Sequence, residues 1–390
     1  RDVAPSRGLG DVYKRQVGGL ETVSNNIIDY IGKDFTIYTL SFNAVNNAPT
    51  SPAITEIFQF KTDNEEENIQ TFNQIIEERN ITHIINQGIY PHITNIIFNP
   101  DRKKDVKIIS VLHGMPKYEN SQYWQLPHIL KANKLKQIKR RFLFHIGLNY
   151  KYKRYIRSFY DSYRKACIKG DQIIVLCNEY IKPFINEYHL KKYQEKVIAI
   201  ENPLSPLFSE QKNIEWTQKK NQVIFVGRLS EEKQIHIILD IWERIGKITN
   251  WDLVIIGDGC IRQKLEQTVR DKQIQRVSFT GQVNHPEEYY KSAKIILLTS
   301  SFEGFPMCLI EALRFGVIPL TFDISAGVRS IVSNSGGIII KNRNSNEMFL
   351  KLQELINNKY LHLLSEKARL KSNRYTLNRI GEQWINLLRK

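Results

Sequence analysis

The sequence predicts an α/β protein built from two doubly wound domains. Its 390 residues are enough for two domains of ordinary size, each with its own core. Short apolar runs alternate with longer segments of helical periodicity, which is the βαβ rhythm of a parallel sheet. The runs of the second half are continuously apolar, as in strands that helices cover on both faces. We therefore expect two Rossmann-like domains facing a cleft, with ligands at the carboxyl ends of the strands.

The first half opens on a segment that shows neither helical nor strand periodicity. Residues 1–16 have the character of a non-native leader, and we leave them out of the fold prediction. A Gly-Gly turn then leads directly into a helix, so the strand that should open a doubly wound domain is expected to be missing. The elements predicted after this turn are helices over 21–31, 65–79 and 179–188 and strands over 35–40, 81–86, 106–112, 172–176 and 196–200.

Two prolines within 201–206 interrupt this rhythm and predict a domain boundary. We expect an N-terminal domain over 17–205, a second domain over 206–374 and a closing helix over 375–390 that returns to the first domain. The second series is the more regular one. Its predicted elements are strands over 223–226, 253–256, 277–280, 295–299, 317–321 and 337–340 and helices over 235–245, 262–272, 347–358, 360–372 and 377–388.

The formal charge of +16 is concentrated in one aromatic-rich segment. Residues 131–165 carry twelve Lys and Arg against a single acid. This composition fits a surface for anionic lipid headgroups, a surface for nucleic acid, or a solvated helix face whose aromatics belong to the core. We favour the anionic membrane and expect no nucleic acid. The predicted patch consists of Lys139, Arg140, Arg141, Lys151, Lys153, Arg154 and Arg157.

The remaining composition bounds the compartment and the chemistry. No apolar run reaches the length of a membrane span and no signal pattern is present, which predicts a cytoplasmic protein, peripheral on the inner face of the membrane. The cysteines lack paired spacing, so buried free thiols are expected instead of disulfides or a zinc site. No Walker loop, His-x3-His pair or Ser-His-Asp order occurs, which argues against a P-loop ATPase, a metalloenzyme and a simple hydrolase. The four cysteines are Cys167, Cys177, Cys260 and Cys308.

Two glutamates carry much of the functional information. Glu303 follows the predicted strand over 295–299, and Glu311 lies eight positions later, inside a helix that Pro306 is expected to open in its first turn. One carboxylate is then presented at the sheet edge and the other deeper along the helix, beside a helix N-terminus that attracts anions. This geometry suits a phosphorylated sugar nucleotide. By themselves, two acids at this spacing are common by chance and favour ordinary acids on a helix surface, so the other motifs decide the interpretation.

Two cations follow the first strand of the second domain. Gly227 allows a tight turn, after which Arg228 and Lys233 are expected to project towards the ligand. Arg grips phosphate oxygens with two donors and Lys supplies a compact charge, so the two could neutralise a diphosphate leaving group. Arg-x4-Lys is also common in solvated loops, and the position at a strand end favours the binding role.

Weaker signals come from glycines and one histidine. Gly18 and Gly19 open the first helix, where backbone amides could meet a phosphate or simply form a turn. His113 ends the strand over 106–112 and is a candidate hydrogen-bonding group for the sugar or for the oxygen that gains charge, although a lone histidine is often structural. Gly257-Asp-Gly and Gly281 follow other strands and fit either nucleotide-side loops or plain turns.

In combination these motifs resemble the family 4 glycosyltransferases of the GT-B fold. The resemblance is carried, in order, by Gly-Gly-Leu-Glu21, His113-Gly, Asn202-Pro, Gly227-Arg-Leu-Ser-x2-Lys233, Gly257-Asp-Gly and Glu303-Gly-Phe-x5-Glu311, and it extends from 17 to 390. It implies a retaining transferase that moves a sugar from a nucleotide-activated donor, a UDP- or GDP-sugar, to an acceptor. The charge of the basic segment, and no motif, suggests a glycan or lipid-linked acceptor in polysaccharide or glycolipid synthesis. No cofactor or metal is required by this resemblance.

The resemblance also implies roles for individual residues. Arg228 and Lys233 would hold the donor diphosphate, Glu303 the transferred sugar and Glu311 the ribose hydroxyls, with His113 in the catalytic set. The implied donor-binding backbone and side chains are Gly18, Gly19, Gly227, Gly304, Phe305, Pro306 and Glu311. Two positions depart from the family pattern. Cys177 stands where serine is usual, and Ser330 stands where an acidic residue often follows the Gly-x-x turn.

Two alternatives stay open at this point. One is an epimerase or a phosphorylase of the same fold, although no pyridoxal-type lysine site is recognisable for the latter. The other is a non-catalytic basic protein that binds a membrane or nucleic acid. The presence of all four residues Arg228, Lys233, Glu303 and Glu311 argues against this second alternative.

Overall fold

The computed structural model describes residues 19–42, 51–60, 62, 64–103, 105–117, 119, 150–210 and 215–390. The chain divides into two compact units. The N-terminal unit comprises Arg1–Glu201 together with Gly381–Lys390, and the C-terminal unit comprises Asn202–Ile380.

The N-terminal unit contains two groups of parallel strands. Strands β1 and β2 pair with each other, and the other four form a sheet in the order β3-β4-β5-β6. The elements are α1 (Gly19–Ile31), β1 (Ile37–Ser41), β2 (Ile54–Gln59), α2 (Glu65–Glu78), β3 (His83–Asn86), α3 (Pro91–Ile97), β4 (Lys107–Leu112), α4 (Tyr150–Lys169), β5 (Gln172–Val175), α5 (Asn178–Glu187) and β6 (Val197–Ala199).

In the doubly wound strand order, one further strand would stand between these two groups. In that order the strand preceding α1 lies between the pair β1-β2 and the sheet that starts at β3. Any such strand would lie before residue 19, outside the described residues, so its predicted absence stays a prediction. The structure adds β2 and α3, which the sequence analysis did not predict.

The last residues of the chain pack on this unit. Tyr30 donates a hydrogen bond from its hydroxyl to Glu382 at 2.8 Å, and Arg389 pairs with Asp34 at 2.8 Å. A Cβ at Gly381 would lie 2.2 Å from the Tyr30 ring, so glycine permits this close approach. Gly381 and Glu382 lie in the final helix, α14 (Leu377–Leu388), and Arg389 follows its last residue.

The C-terminal unit is a single six-stranded parallel sheet in the order β12-β11-β10-β7-β8-β9, which is the doubly wound order. Its helices before α14 run between and after the strands. The elements are α6 (Pro206–Ser209), β7 (Gln222–Val226), α7 (Ile235–Ile245), β8 (Asp252–Ile256), α8 (Arg262–Asp271), β9 (Val277–Gly281), α9 (Pro286–Ser292), β10 (Ile295–Leu298), α10 (Met307–Arg314), β11 (Ile318–Phe322), α11 (Ala326–Val332), β12 (Ile338–Ile340), α12 (Ser345–Ile356) and α13 (Leu361–Ser372).

The order of the sheet reverses between β7 and β10, and this is the point where doubly wound folds bind ligands. The two strands pair only through Val223 with Ile295 and Ile224 with Ile296. Their carboxyl ends are therefore free of ladder pairing with each other, and the loops that follow them meet there. Both faces of the sheet are covered, since β10 and β11 are buried along their whole length.

One predicted element begins slightly later than expected. Pro306 is the N-cap of α10, with φ −69° and ψ 113°, so it precedes the first helical turn instead of standing inside it. The extended ψ explains the difference, since a helical first residue would need ψ near −42°. Glu311 still lies inside the helix, as predicted.

Candidate functional site

Lys233 and Glu303 form an ion pair at the carboxyl edge of the C-terminal sheet. The Lys233 Nζ lies 2.6 Å from Glu303 Oε1, and the two side chains are only 22% and 13% exposed. Ser300 donates a second hydrogen bond to the same oxygen at 2.7 Å. Burial by itself lowers the pKa of Lys233, but the charge and hydrogen bond of Glu303 outweigh it, and the pKa is raised. The pair thus consists of a firmly charged ammonium and its counter-ion.

Backbone bonds hold the two loops of this pair together. Ser301 donates its backbone N–H to the carbonyl of Glu232 at 2.6 Å. Thr299 donates its hydroxyl to the Lys233 carbonyl at 3.0 Å. Gln234, directly after Lys233, has a positive φ of 50° and ends the turn that leads into α7. Strands β7 and β10 therefore deliver the pair, and the loop contacts fix its geometry.

Arg228 lies in the turn that follows β7. Backbone hydrogen bonds hold the residues on both sides of it. The Gly227 N–H donates to the Ile256 carbonyl at 3.0 Å, and the Leu229 N–H donates to the Asp258 carbonyl at 2.9 Å. The Arg228 side chain is half-buried. Arg228 lies on the same loop as Lys233, five residues earlier, and its projection towards a ligand stays a prediction.

The glycines near this turn occupy positions where a side chain would not fit. Gly227 and Gly257 have φ of 152° and 129°. A Cβ on Gly257 would lie 2.0 Å from the Gly227 carbonyl oxygen, and one on Gly259 would lie 2.2 Å from the Leu229 carbonyl oxygen. The Gly257-Asp-Gly loop therefore packs directly on the loop of Arg228.

Asp258 and Gly281 have structural partners. Arg262 pairs with Asp258 at 3.0 Å and with Glu266 at 2.8 Å. Gly281 has a φ of 73°, and a Cβ there would lie 2.7 Å from the Arg262 guanidinium. These contacts join the loops after β8 and β9, and they account for both glycine motifs without a ligand.

Glu311 lies one helix turn beyond the pair, on α10. Tyr290 of α9 donates its hydroxyl to Glu311 Oε2 at 2.7 Å. Burial raises the pKa of Glu311 to about 7, although the Tyr290 hydrogen bond works in the opposite direction. The Tyr290 ring is fully buried and stacks on Phe315 with centroids 6.2 Å apart. Glu311 is therefore held by a rigid aromatic support that the sequence analysis did not identify.

Cys308 occupies the first turn of α10 between these acids. Burial, followed by the charge of Glu303, raises the pKa of its thiol above the ordinary range. The prediction of buried thiols holds for Cys167 and Cys177 but is wrong for Cys260, which is exposed, because it lies in the turn that leads into α8. Cys177 is the N-cap of α5 and makes no side-chain cap bond.

The segment between the two acids contributes mainly backbone. The Phe305 side chain is 5% exposed and packs edge-on against Tyr375 with centroids 5.9 Å apart. Its ring is therefore part of the core, and donor contacts by the backbone of Gly304 and Phe305 stay a prediction. Pro306 follows as the N-cap of α10.

His113 and Gly19 lie in the N-terminal unit, and Gly18 lies outside the described residues. His113 follows β4, and its Nε2 lies 2.7 Å from Gln87 Oε1. Burial lowers the pKa of His113 to about 4, so the imidazole is neutral near pH 7 and acts through hydrogen bonds instead of a charge. Gly19 is the first residue of α1.

The predicted basic patch is only partly described, since Lys139, Arg140 and Arg141 lie outside the described residues. The side chains that are described lie exposed on α4 and are Lys151, Lys153, Arg154 and Arg157. The aromatics of this helix behave differently, because Phe159 and Tyr163 are 3% and 5% exposed and pack into the N-terminal unit. These two rings occupy the inner face of an amphipathic helix, as in the alternative in which the aromatics belong to the core.

One buried cation was missed by the sequence analysis. Lys219 is 6% exposed, and its Nζ donates to the carbonyl oxygens of Tyr290, Lys291 and Ala293 at 3.2, 2.7 and 2.8 Å. It thereby caps the carboxyl end of α9, the helix that carries Tyr290. All three ammonium protons are used in this way, so Lys219 is a structural lysine.

The described residues also bear on other kinds of site. Among them, no group of three or more His, Cys, Asp or Glu is placed to hold a metal ion. No helix in the described ranges is both long and apolar enough to cross a membrane. A cavity of about 400 Å³ lies at the opposite, amino edge of the C-terminal sheet, next to Trp216, Trp251 and Lys294. It contains none of the predicted site residues.

Comparison with known proteins places this site in context. Residues 208–376 match the family described as glycosyl transferases group 1. An uncharacterized glycosyltransferase of Haemophilus influenzae is 33% identical over 205 residues, which cover 50% of this chain and 57% of that protein. A Campylobacter jejuni N-acetylgalactosaminyltransferase that acts on an undecaprenol-linked glycan is 27% identical over 208 residues, covering 52% of this chain and 57% of that protein. The chain thus spans about half the length of the curated relatives it matches.

Solved structures extend the likeness to nearly the whole chain. Anabaena HepE in complex with UDP-glucose aligns with a TM-score of 0.70 and 14% identity over 96% of both chains. Staphylococcus aureus TarM, in complex with UDP among other ligands, aligns with a TM-score of 0.61 and 21% identity over 83% of this chain and 59% of that one. At these identities the likeness establishes the fold, the two-domain GT-B architecture.

Proposed function

We propose that this chain, whose residues 208–376 match the glycosyl transferases group 1 family, transfers a sugar from a nucleotide-sugar donor to a glycan or lipid-linked acceptor. The observation that carries the proposal is the Lys233–Glu303 pair at the switch point of the C-terminal sheet. A partly buried ion pair costs desolvation energy, and a site that must bind both phosphate and sugar has a use for both of its members. An ordinary surface pair would be exposed and would not lie at the point where the strand order reverses.

The cations of the β7 loop are the proposed diphosphate site. Arg228 and Lys233 lie on one loop that two neighbouring loops hold in place. Positive charge fixed before the donor arrives stabilises the negative charge that develops on the leaving diphosphate without reorganisation. When the donor binds, Lys233 exchanges part of its interaction with Glu303 for one with phosphate. The helix N-terminus at Pro306 adds a favourable dipole.

The two acids then take separate roles on the donor. Glu303 leaves Lys233 to accept hydrogen bonds from hydroxyls of the transferred sugar. Glu311, supported by Tyr290, accepts from the ribose hydroxyls. Neither carboxylate acts as the nucleophile in this scheme. His113 and the amide of Gly19 stay predictions of the family resemblance, and both lie in the N-terminal unit.

Retention of the anomeric configuration would follow from attack on the face that the diphosphate leaves. The bond between the sugar C1 and the phosphate oxygen breaks, a bond forms between C1 and the acceptor oxygen, and the acceptor proton passes to a phosphate oxygen. Positioning and electrostatic stabilisation therefore supply most of the catalysis. We propose that no metal or cofactor is required, and that the donor is a UDP- or GDP-sugar.

The acceptor is proposed to be carried at an anionic membrane surface. Four bases are exposed on α4, and each Lys or Arg near an anionic surface contributes about 1 kcal/mol to attraction. Curated relatives act on an undecaprenol-linked glycan and on poly(ribitol-phosphate). We therefore propose a peripheral location on the cytoplasmic face, in synthesis of a cell-surface polysaccharide or glycolipid.

The donor site is tested by thermal shift with a panel of UDP- and GDP-sugars. A ligand present at 100 times its Kd stabilises a protein by about 2.7 kcal/mol, which is a measurable rise in Tm. We expect one nucleotide class to raise the Tm of the wild-type chain and to leave that of Lys233→Met unchanged. Failure of every nucleotide sugar to shift the wild-type Tm would reject the proposal.

A further inference from the structure

One guanidinium joins the two loops that carry the ion pair. Arg343 donates from Nη1 to the carbonyl oxygens of Ser300 and Ser301 at 3.0 and 3.3 Å. Its Nη2 donates to the carbonyl oxygen of Thr299 at 3.3 Å and to the side-chain Oε1 of Gln234. Arg343 thus contacts the loop after β10 through three carbonyls and the loop after β7 through one side chain.

These acceptors flank the site directly. Gln234 follows Lys233 in the chain, and Ser300 is the residue whose hydroxyl donates to Glu303 Oε1 at 2.7 Å. Arg343 therefore holds the neighbour of one member of the ion pair and a hydrogen-bond donor to the other. Among the described residues, its hydrogen bonds go to neither the Lys233 nor the Glu303 side chain.

The backbone of Arg343 is held in an unfavourable conformation. Asn342 and Arg343 have φ of 55° and 52°, so two consecutive residues other than glycine adopt the left-handed region. Such conformations are unfavourable for residues with a Cβ and persist where surrounding contacts determine them. The next residue, Asn344, caps α12 by accepting from the backbone N–H of Asn346 and Glu347 at 3.0 and 3.1 Å. The guanidinium also lies 5.3 Å from the ring of Phe322 at the end of β11.

We propose that Arg343 is a positioning residue that sets the distance between the Lys233 and Glu303 loops. Its planar fork reaches acceptors of both loops at once, whereas the single ammonium of a lysine would serve a smaller set. The substrate relevance of this role rests on the proposed function. The mechanical role does not, because it concerns only how the two loops are held.

The consequence for the reaction follows from the geometry. A displacement of about 1 Å at a reacting centre can reduce a rate about 100-fold. Loosening the loops would misplace both the diphosphate cation and the sugar-binding carboxylate. Variants at Arg343 should therefore lower kcat although Arg343 itself is not placed to touch the donor.

Hydrogen exchange tests the mechanical role without a substrate. The Ser301 N–H bond to the Glu232 carbonyl crosses between the loops and is the reporter. In Arg343→Met we expect exchange in peptides covering 299–305 to be at least about tenfold faster than in the wild type, with β8 and β11 unchanged. Arg343→Lys should give an intermediate rate. Added guanidinium should slow exchange in Arg343→Ala.

Arg244 supplies the matched control. Its guanidinium lies 3.5 Å from the Phe349 ring and donates to Asn346 Oδ1 at 3.1 Å, so it has a similar aromatic and amide environment away from both loops. Arg244→Met should leave exchange at 299–305 at the wild-type rate. Unchanged exchange in Arg343→Met, or equal acceleration in Arg244→Met, would overturn the proposal.

Activity measurements separate this inference from the proposed function. If the wild-type chain transfers sugar, Arg343→Met should lower kcat by about 10- to 100-fold and Arg343→Lys by less, whereas Arg244→Met should match the wild type. If the wild-type chain transfers no sugar, the proposed function fails, and the exchange result still decides whether Arg343 holds the loops.

Discussion

Removing one member of the Lys233–Glu303 pair should destabilise the C-terminal unit measurably. Lys233→Met leaves Glu303, which is 13% exposed, with Ser300 as its remaining hydrogen-bond donor. Breaking a fully buried pair costs about 3–5 kcal/mol, and partial exposure together with the retained Ser300 bond reduces this to about 2 kcal/mol. For a unit of this size the loss corresponds to a fall of about 4–8 °C in Tm.

A double-mutant cycle isolates the interaction itself. Lys233→Met, Glu303→Gln and the double variant are unfolded in urea and followed by tryptophan fluorescence. We expect the double variant to lose less than the sum of the single losses, with a coupling free energy of about 1–2 kcal/mol. The control pair is Lys351–Glu354, which has the same N–O distance of 2.6 Å but side chains 40% and 63% exposed. Its coupling should stay at about 0.2–0.5 kcal/mol.

The comparison between the two pairs is the decisive part of this test. Both have the same contact distance, so a difference in coupling measures the effect of burial at the switch point. If the Lys233–Glu303 coupling is no larger than that of Lys351–Glu354, the pair is an ordinary surface contact. The structural reasoning that supports the proposed function would then be refuted.

Two further predictions concern acid titration and the membrane. Because the folded state raises the pKa of Glu311 to about 7, the stability contributed by its protonated form is complete below the ordinary value of 4.5 and is lost as pH rises through about 7. The Tm of the wild type relative to Glu311→Gln should therefore fall between about pH 5 and pH 8, and a constant difference would contradict the buried carboxyl. Replacing Lys151, Lys153 and Arg154 of α4 by Gln should weaken binding to phosphatidylserine vesicles by about 1 kcal/mol per charge at low salt, without changing the Tm. Unchanged vesicle binding would assign these bases to a solvated helix face.

Sequence periodicity was sufficient for most of the fold because the strands of the C-terminal unit are continuously apolar. Strand β2 was missed because its sequence, Ile-Thr-Glu-Ile-Phe-Gln, has neither a continuous apolar run nor strict alternation of apolar and polar residues. The helix α3 was missed because it is only seven residues long.

The site was predictable as residue types but not as a network. Lys233 and Glu303 each stand after a strand end, which a sequence pattern can show. Their direct contact depends on where two loops 70 residues apart meet. Arg343 is 109 residues from its Gln234 partner and belongs to no motif, so periodicity and spacing contain no signal for it. Tyr290 likewise supports Glu311 from a helix earlier in the chain.

The most direct test of the central claim is sugar transfer with the anomeric configuration of the product determined. The chain is incubated with the nucleotide sugar that raises its Tm and with a lipid-linked glycan acceptor, and the product linkage is read by proton NMR. We predict an α-linked product from an α-linked donor, and at least about a 100-fold loss of rate in Glu303→Ala with the fold retained. A β-linked product, or a Glu303→Ala variant that turns over at the wild-type rate, would contradict the account.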